Sequence, residues 1–126
     1  MSLKILTDYG LVYLATPYSK YPKGLTGAFM DAAKIAAGLL REGVSVYSPI
    51  THTHPIAIHG GIDPLDHTVW LKFDAAMIAK SDALLVAQMD GWDASFGIAH
   101  EITAFAKARK PIHYLNPLTL ELVLEN

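Results

Sequence analysis

The chain has 126 residues, a formal net charge of −2 and no cysteine. This length predicts one domain, over residues 1–126, and a 52% apolar content with 17% charged residues predicts a globular fold. The small net charge gives no electrostatic case for binding nucleic acid or a membrane surface, and the lack of cysteine excludes disulfides and thiolate chemistry. No apolar run reaches the ~18 residues of a transmembrane helix, and residues 1–3 lack signal-peptide features. We therefore expect a soluble cytoplasmic protein.

The first half of the chain predicts two strands, one helix and a long loop. Residues 11–17 form a short apolar run that ends at a proline, and residues 44–48 alternate, so both segments are typical of strands. Between them, residues 26–41 repeat apolar side chains at helical spacing. Residues 50–65 are rich in histidine, glycine and proline, which favours a long loop, and such loops often carry function.

The second half predicts alternating helices and strands. The helices cover residues 66–80, 95–110 and 118–124, and the strands cover residues 83–89 and 111–115. The whole order, β-α-β-loop-α-β-α-β-α, implies parallel strands with helices on both faces. The predicted fold class is therefore α/β, a three-layer α/β/α, flavodoxin/Rossmann-like architecture with a parallel sheet of four to five short strands. No Gly-x-Gly-x-x-Gly sequence or P-loop is present, so a standard dinucleotide or nucleoside-triphosphate site is not expected.

The junction at residues 90–101 gives the strongest indication of a functional site. It joins the third predicted strand to a helix, and ligands of open α/β sheets bind at this edge, where helix N-termini offer free N–H groups to anions. Ser95 is a candidate N-cap for that helix. Gly97 and Glu101 are four apart, so Gly97 leaves room one turn above the Glu101 carboxylate. We predict a small-molecule site that Glu101 faces; the alternative is a solvated helix acid.

Asp74 is the second candidate. On the 66–80 helix it lies on or beside an apolar stripe that includes Trp70 and Met77. An unpaired carboxylate in such a place costs several kcal/mol, so it is paired or works in a site, unless it lies at the exposed edge of the stripe. Two carboxylates in different environments can divide the roles of nucleophile and acid/base. That arrangement suits cleavage of an N-glycosidic bond, whose transition state resembles an oxocarbenium ion.

Further candidates lie at the same predicted edge of the sheet. Tyr18 and Ser19 follow the first strand, where they would contact a sugar or a phosphate, or form an ordinary turn. Asp93 lies in the turn before the 95–110 helix. Trp92, beside it, would either stack on a base or cover the end of the sheet.

The histidines of the 50–65 segment allow three interpretations. His52 and His54 are loop residues near the substrate, plain surface residues, or, in a metal-dependent hydrolase, two ligands on one side of an extended segment. Zinc would need a third ligand, and no recognised spacing supplies one. We therefore expect His52 to lie near the substrate and no metal to be bound.

Three pieces of the chain resemble the nucleoside 2-deoxyribosyltransferase superfamily. Residues 13–17 (Tyr-Leu-Ala-Thr-Pro) are similar to its first strand and turn. Asp74, followed eight residues later by Asp82 and an apolar strand, matches a second motif, and residues 95–101 match Ser-x-Gly-x-x-x-Glu. The resemblance covers residues 11–115. It is nearest to the branch of 2′-deoxynucleoside 5′-monophosphate N-glycosidases and small bacterial and phage relatives.

This resemblance implies roles for five residues. Glu101 would be the nucleophile that attacks the anomeric carbon, and Asp74 would orient the sugar or assist proton transfer to the leaving base. Ser95 would hold a 5′-phosphate or 5′-hydroxyl, and Tyr18 and Ser19 would line the pocket. No metal or organic cofactor is implied. Relatives assemble as dimers or larger, with sites near subunit interfaces, so a homodimer or homotetramer is expected.

The expected function is therefore hydrolysis or transfer at the N-glycosidic bond of a nucleoside or deoxynucleoside 5′-monophosphate. Thr16 replaces a usual glycine of the superfamily, and Ser95 stands where transferases often carry aspartate. The second difference favours the monophosphate branch. The alternative is a non-catalytic nucleotide-binding module of the same fold.

Overall fold

A five-stranded sheet forms the centre of the computed structural model, which describes residues 3–124. The strands are β1 (Val12–Ala15), β2 (Val46–Tyr47), β3 (Ala83–Ala87), β4 (Ile112–Asn116) and β5 (Glu121–Val123). Their spatial order is β2-β1-β3-β4-β5. The first four strands are parallel and β5 runs antiparallel to β4. Met1 and Ser2, two of the three residues predicted to lack signal-peptide features, lie outside the described residues.

Helices cover both faces of this sheet. They are α1 (Gly24–Arg41), α2 (Pro49–Gly60), α3 (His67–Lys80) and α4 (Phe96–Lys107), with short 3-10 turns at Leu3–Asp8 and Trp92–Ala94. The mostly parallel sheet between helices confirms the predicted three-layer α/β/α, flavodoxin/Rossmann-like fold. In the part of the chain that the structure describes, no helix is long and apolar enough to cross a membrane.

The two faces of the sheet have separate apolar cores. Every residue of β1 and β3 is buried, as their continuous apolar sequences require in a sheet covered on both sides. Alternate residues point to opposite faces, so Leu14 packs on the α1 side while its neighbour Tyr13 packs on the α4 side with Phe105. The predicted helix over 26–41 is confirmed by α1, whose buried stripe faces the first of these cores.

The predicted loop over residues 50–65 is wrong, because Pro49–Gly60 forms α2. Proline at a first helical position needs no N–H partner, so Pro49 starts the helix rather than preventing it. Pro55 removes one bond inside the helix, but the buried side chains of His54 and Ala57 stabilise it by tertiary packing. Gly61, at φ 74°, ends the helix in the left-handed conformation.

The predicted final helix over residues 118–124 is also wrong, because β5 occupies this segment. The Asn116 side chain accepts hydrogen bonds from the backbone N–H groups of Leu118 and Thr119, which forms a turn after β4. Leu120, at φ 58°, completes the reversal. The chain then pairs with the edge of β4 and buries Leu122. Edge pairing therefore outweighs the helix-starting tendency of Pro117.

The strand order creates a crevice at one place on the sheet. The chain leaves β1 toward β2 on one side and later returns to β3 on the other side of β1. At such a reversal the loops that follow β1 and β3 diverge, and α/β proteins bind ligands in the crevice at these carboxyl ends. Tyr18 and Ser19, after β1, and residues 92–101, after β3, include seven of the nine candidates that the sequence predicts; Asp74 and His52 lie on α3 and α2.

Candidate functional site

A cavity of about 100 Å³ lies at the carboxyl ends of β1 and β2, against the first turns of α2 and α4. Its lining comes from four segments: Thr16, Tyr18 and Ser19 after β1; Pro49, Ile50 and Thr53 of α2; Leu65, His67, Trp70, Leu71 and Asp74 in and before α3; and Ser95, Phe96, Gly97 and Glu101 at the start of α4. Six of the nine residues predicted to form the site therefore share one cavity. They are Glu101, Asp74, Ser95, Gly97, Tyr18 and Ser19.

The other three predicted residues do not line this cavity. The Trp92 ring packs against Tyr114 of β4, with ring centroids 5.7 Å apart, so it covers the end of the sheet. Asp93 is exposed in the adjoining 3-10 turn. His52 lies beside Phe73 of α3, with ring centroids 5.4 Å apart.

Glu101 is buried at the inner end of the cavity, with 8% of its surface exposed. Removal from water raises the pKa of Glu101 to about 8, the nearby charge of Asp74 adds to the rise, and the Tyr13 hydroxyl opposes it. At neutral pH the free site therefore holds a proton on Glu101. A carboxyl group held neutral by burial is a feature of catalytic sites.

Asp74 lies across from Glu101 on α3, half-buried, as its place on the apolar stripe predicts. Burial raises the pKa of Asp74 to about 6. Its Oδ1 atom is buried without a hydrogen-bond partner. The two carboxyl groups thus exchange protons in different ranges, which allows one to act as a nucleophile while the other holds a proton.

Polar atoms without partners are concentrated around these carboxyl groups. Within residues 3–124, the buried side-chain atoms that lack a hydrogen-bond partner are Tyr13 Oη, Thr16 Oγ1, Tyr47 Oη, Ser48 Oγ and Asp74 Oδ1. Tyr13 Oη is nevertheless near enough to the Glu101 carboxyl to favour its ionised form, although the two groups are not in good hydrogen-bonding geometry. Each such atom costs about 1–3 kcal/mol if nothing polar reaches it. Four of them belong to β1, β2 and the residues that directly follow these strands. Their concentration at one edge of the sheet indicates a place where a polar ligand or water completes the structure.

Tyr47 and Ser48 were missed by the sequence analysis. The Tyr13 and Tyr47 rings meet edge to face with centroids 5.6 Å apart, because β1 and β2 pair in parallel at these two residues. Burial and the charges of Asp74 and Glu101 raise the pKa of both phenols. Only their position in the sequence could have identified them as site residues, because Tyr47 and Ser48 end the second predicted strand, and the carboxyl ends of parallel strands lie at one edge of a sheet.

The start of α4 forms the polar end of the cavity wall. Ser95 caps the helix as predicted, because its Oγ accepts a hydrogen bond from the Ile98 backbone N–H at 3.3 Å. A Cβ built on Gly97 would meet nothing closer than Ser95 Oγ at 3.9 Å, so there is room beside this turn. The free N–H groups of a first helical turn and the helix dipole favour an anion at this position.

His54 supports the cavity from behind through Tyr18. The imidazole is buried, stacks on Phe29 with centroids 4.9 Å apart, and its Nδ1 is hydrogen-bonded to the Tyr18 hydroxyl at 2.5 Å. Burial lowers the pKa of His54, so the ring is neutral. The metal hypothesis required His52 and His54 on one side of an extended segment, whereas α2 directs them to different neighbours. Among the described residues, no group of three or more histidine, cysteine, aspartate or glutamate side chains is placed to hold a metal ion.

Aromatic and imidazole rings surround the mouth of the cavity. His67, the first residue of α3, meets Phe96, the first residue of α4, with ring centroids 4.8 Å apart. The Trp70 indole N–H donates to the Asp63 carbonyl at 3.0 Å, which fixes the loop before α3. Such rings offer flat apolar surfaces at the entrance.

Fold and site together define an α/β protein with a cavity at the switch point of a flavodoxin-like sheet. A family model described as "Domain of unknown function (DUF1937)" matches residues 10–116. The chain belongs to this family. Every residue that lines the cavity falls within the matched span. A comparison with curated proteins finds no match.

Proposed function

We propose that this protein is a cytoplasmic enzyme that cleaves the N-glycosidic bond of a nucleoside or deoxynucleoside 5′-monophosphate, as a hydrolase or a deoxyribosyltransferase. One observation carries the proposal: two coupled carboxyl groups, Glu101 and Asp74, face one cavity beside a capped helix N-terminus. The resemblance to nucleoside 2-deoxyribosyltransferases assigns chemistry to the same two residues.

In the first step, a carboxylate oxygen of Glu101 bonds to the anomeric carbon while the bond from that carbon to the base nitrogen breaks. The electron pair of the broken bond stays on the base, which takes a proton from Asp74. In the free site the two pKa values, about 8 for Glu101 and about 6 for Asp74, put a single proton mainly on Glu101, so the reactive form is the one in which that proton lies on Asp74 instead. In the second step, water attacks the anomeric carbon, returns a proton to Asp74 and frees Glu101. A second base in place of water gives transfer.

Glu101 must lose its proton before it can act as a nucleophile. The Tyr13 hydroxyl favours the ionised form, because it lowers the Glu101 pKa against the larger effect of burial. The positive charge that develops at the anomeric carbon adds to this stabilisation in the transition state. The ionised form of Glu101 is unfavourable in the free site, so it is stabilised more in the transition state than in the ground state.

The remaining walls fit the other parts of a nucleotide. The N-terminus of α4, with Ser95 as its cap and Gly97 leaving room, suits a 5′-phosphate or 5′-hydroxyl. The rings of Trp70 and Phe96 suit a stacked base at the mouth. Pockets for drug-sized ligands measure about 300–1,000 Å³, so binding of a nucleotide would require the His67–Phe96 contact at the mouth to open.

A homodimer, or a tetramer built from such dimers, is part of the proposal. Of residues 67–80, which form α3, Ile78 is the buried one, although apolar side chains occur on several sides of this helix. Val69 and Phe73 are 40% and 36% exposed, and Ile56 and Ile58 of the adjoining α2 are also exposed. Apolar helices of this kind are normally covered. Sedimentation should show at least twice 13.7 kDa, and Val69→Glu should lower that mass.

The decisive experiment measures free base by chromatography after incubation with nucleosides, deoxynucleosides and their 5′-monophosphates. We expect release from at least one monophosphate, and its loss in Glu101→Ala and in Asp74→Asn. Glu121→Gln, which changes an exposed glutamate on β5, is the matched control and should retain activity. Nucleotide binding without release at high enzyme concentration would instead establish the alternative, a non-catalytic binding module.

A further inference from the structure

We propose that Lys110 is a positioning residue, which sets the separation of the Asp74 and Glu101 carboxyl groups from outside the cavity. Lys110 lies in the segment between α4 and β4 and does not line the cavity. Its effect on the reaction rate rests on the proposed function, whereas its effect on the two helices can be measured without a substrate. The observation behind the inference is that one lysine bonds α3 and α4 at the same time.

The Lys110 ammonium group holds the C-terminal end of α3. Its Nζ atom donates hydrogen bonds to the Ile78 carbonyl at 2.8 Å and the Ala79 carbonyl at 3.2 Å, which lie 32 and 31 positions earlier in the chain. The last carbonyl groups of a helix have no partner within the helix, and the helix dipole favours a cation beside them. This contact therefore joins α3 to the segment that follows α4.

The same lysine is fixed to the C-terminal end of α4. The Lys110 backbone N–H donates to the Phe105 carbonyl at 3.1 Å, and Nζ lies 5.7 Å from the centroid of the buried Phe105 ring. Ile78 and Phe105 belong to the same apolar core on this face of the sheet. Lys110 therefore connects the ends of two helices at the place where their side chains share a core.

Helical spacing relates this connection to the two acids. Asp74 precedes Ile78 by four residues on α3, and so lies one turn before it on the same side of the helix. Glu101 precedes Phe105 by four residues on α4, with the same consequence. Because a helix is a rigid element over one turn, a change in the spacing of Ile78 and Phe105 also changes the spacing of the two carboxyl groups.

The helix α3 has few other contacts that fix its position. Ile78 is its buried residue, and Asp74 Oδ1 has no hydrogen-bond partner, so no bond at this atom directs the carboxyl group. At its other end α3 meets α4 through the His67–Phe96 ring contact, which the proposed function requires to open. When that contact is open, the hydrogen bonds from Lys110 still hold the C-terminal end of α3 in place.

The kinetic test is Lys110→Met, which keeps an unbranched apolar side chain over Phe105 but removes the ammonium group. We expect kcat for base release to fall about 10- to 100-fold with KM changed less than about 3-fold, because misplacement by about 1 Å slows the chemical step. Lys110→Arg keeps the charge and the N–H donors and should restore most of the rate. Lys107→Met, at an exposed lysine in the last turn of α4, is the matched control and should leave kcat unchanged. An unaltered kcat in a folded Lys110→Met protein, or a loss confined to KM, would overturn the inference.

A distance measurement tests the geometry without a substrate. The chain has no cysteine, so spin labels can be attached at Ala75→Cys on α3 and Thr103→Cys on α4, two exposed positions near the acids. Dilution with unlabelled protein restricts the measured distances to those within one protomer. Lys110→Met should lengthen or broaden the distance between the labels, and Lys110→Arg should restore it. An unchanged distance would overturn the inference whatever the activity.

The two measurements together separate this inference from the proposed function. A longer distance in Lys110→Met, combined with no base release by the unaltered protein, would refute the proposed reaction and support Lys110 as the residue that sets the helix spacing. Full base release despite a longer distance would refute the positioning role and leave the proposed function intact. If Lys110→Met does not fold, Lys110→Gln keeps an N–H donor without the charge, and an unchanged kcat and distance in that variant would overturn the inference.

Discussion

Two clefts open at the carboxyl edge of the sheet, and they shift the pKa values of their acidic side chains in opposite directions. The cleft on the α1 side is the larger, at about 590 Å³ against about 100 Å³. One of its two acids, Asp31, accepts a hydrogen bond from the Tyr21 hydroxyl at 2.7 Å and lies 3.3 Å from the ammonium group of Lys23. These partners lower the pKa of Asp31, with the Tyr21 hydrogen bond as the main cause.

The smaller cavity shows the reverse pattern. Its acids, Glu101 and Asp74, have pKa values raised by burial, no cation pairs with them in the described chain, and their neighbours include buried hydroxyls without partners. Asp31 is an acid whose interactions are complete within the fold. Glu101 and Asp74 are acids whose interactions are incomplete without a ligand. Volume alone would favour the larger cleft as a binding site, whereas unused hydrogen-bonding capacity favours the smaller cavity as the site of the proposed reaction.

Exchanging the acids for amides gives the largest contrast. Glu101→Gln should reduce base release at least about 10³-fold, because it removes the nucleophile. The same substitution should raise the free energy of unfolding at pH 8 by roughly 2–4 kcal/mol. The reason is that the buried carboxyl of Glu101 ionises less readily in the folded state than in the unfolded state, and glutamine has no charge to bury. Asp31→Asn should destabilise the protein at pH 7 and leave base release nearly unchanged. Thermal unfolding at several pH values and the base-release assay measure both effects.

The signs of the two stability effects follow from the direction of each pKa. The Glu101 pKa is raised from its usual 4.5, so the native state binds the proton more tightly, and stability falls as pH rises from about 4.5 to about 8. The gain in Glu101→Gln should therefore vanish below pH 4.5. The Asp31 pKa is lowered, so its stabilisation is present above the usual value of 3.8 and is lost as pH falls. If Glu101→Gln instead lowered the stability at pH 8, burial would not be the main influence on the Glu101 carboxyl.

Enlarging Gly97 tests whether the room beside α4 is needed for a ligand. Gly97→Leu should raise KM about 10- to 100-fold, because the side chain takes the position proposed for the phosphate. It should stabilise the helix by up to about 1 kcal/mol, since leucine is a better helix former than glycine. Gly97→Ala serves as the control, since its Cβ meets nothing within 3.4 Å. An unchanged KM in Gly97→Leu would place the ligand elsewhere.

The sequence predicted the acids of the site better than their surroundings, for physical reasons. Glu101, Ser95 and Gly97 lie within seven residues of one helix start, so local rules on capping and helical spacing place them together. Asp74 was identified because helical periodicity put a charge on an apolar stripe. Tyr47 lies beside Tyr13 because the two-residue strand β2 pairs in parallel with β1. Which strand pairs with β2 depends on the packing of the whole sheet, so local sequence could not predict this contact.

Segments with conflicting local signals were the ones predicted wrongly. Over residues 50–65, histidine, glycine and proline suggested a loop, but packing of the buried His54 and Ala57 of α2 on the rest of the fold decides the outcome. After β4, Pro117 suggested a helix, but the free edge of β4 offered strand pairing. The strands and helices with one consistent pattern, such as β3 and α1, were predicted nearly to their ends.

A change in the pH profile would reveal how Glu101 and Asp74 share a proton. The proposed reaction needs one proton on the pair, with Glu101 ionised, so kcat/KM should be largest between the two pKa values of about 6 and about 8. Tyr13→Phe should move the fall on the alkaline side to higher pH by about one unit, because the hydroxyl that lowers the Glu101 pKa is lost. Tyr21→Phe, made at the phenol–acid pair of the other cleft, is the control and should leave the profile in place. A kcat/KM that keeps rising above pH 8 would show that no proton on Asp74 is needed.

The smallest expected effect concerns the support behind Tyr18. His54→Phe keeps a buried ring against Phe29 but removes the hydrogen bond to the Tyr18 hydroxyl, which then loses its fixed direction in the cavity wall. We expect KM to rise about 3- to 10-fold with kcat nearly unchanged, as for one lost hydrogen bond of about 1 kcal/mol. His54→Asn, whose side-chain amide retains polar atoms, should recover part of the loss. A purely structural role of His54 would lower Tm and the active fraction of the protein but not change KM. An unaltered KM in a destabilised His54→Phe protein would therefore show that the His54 ring only fills space between α1 and α2.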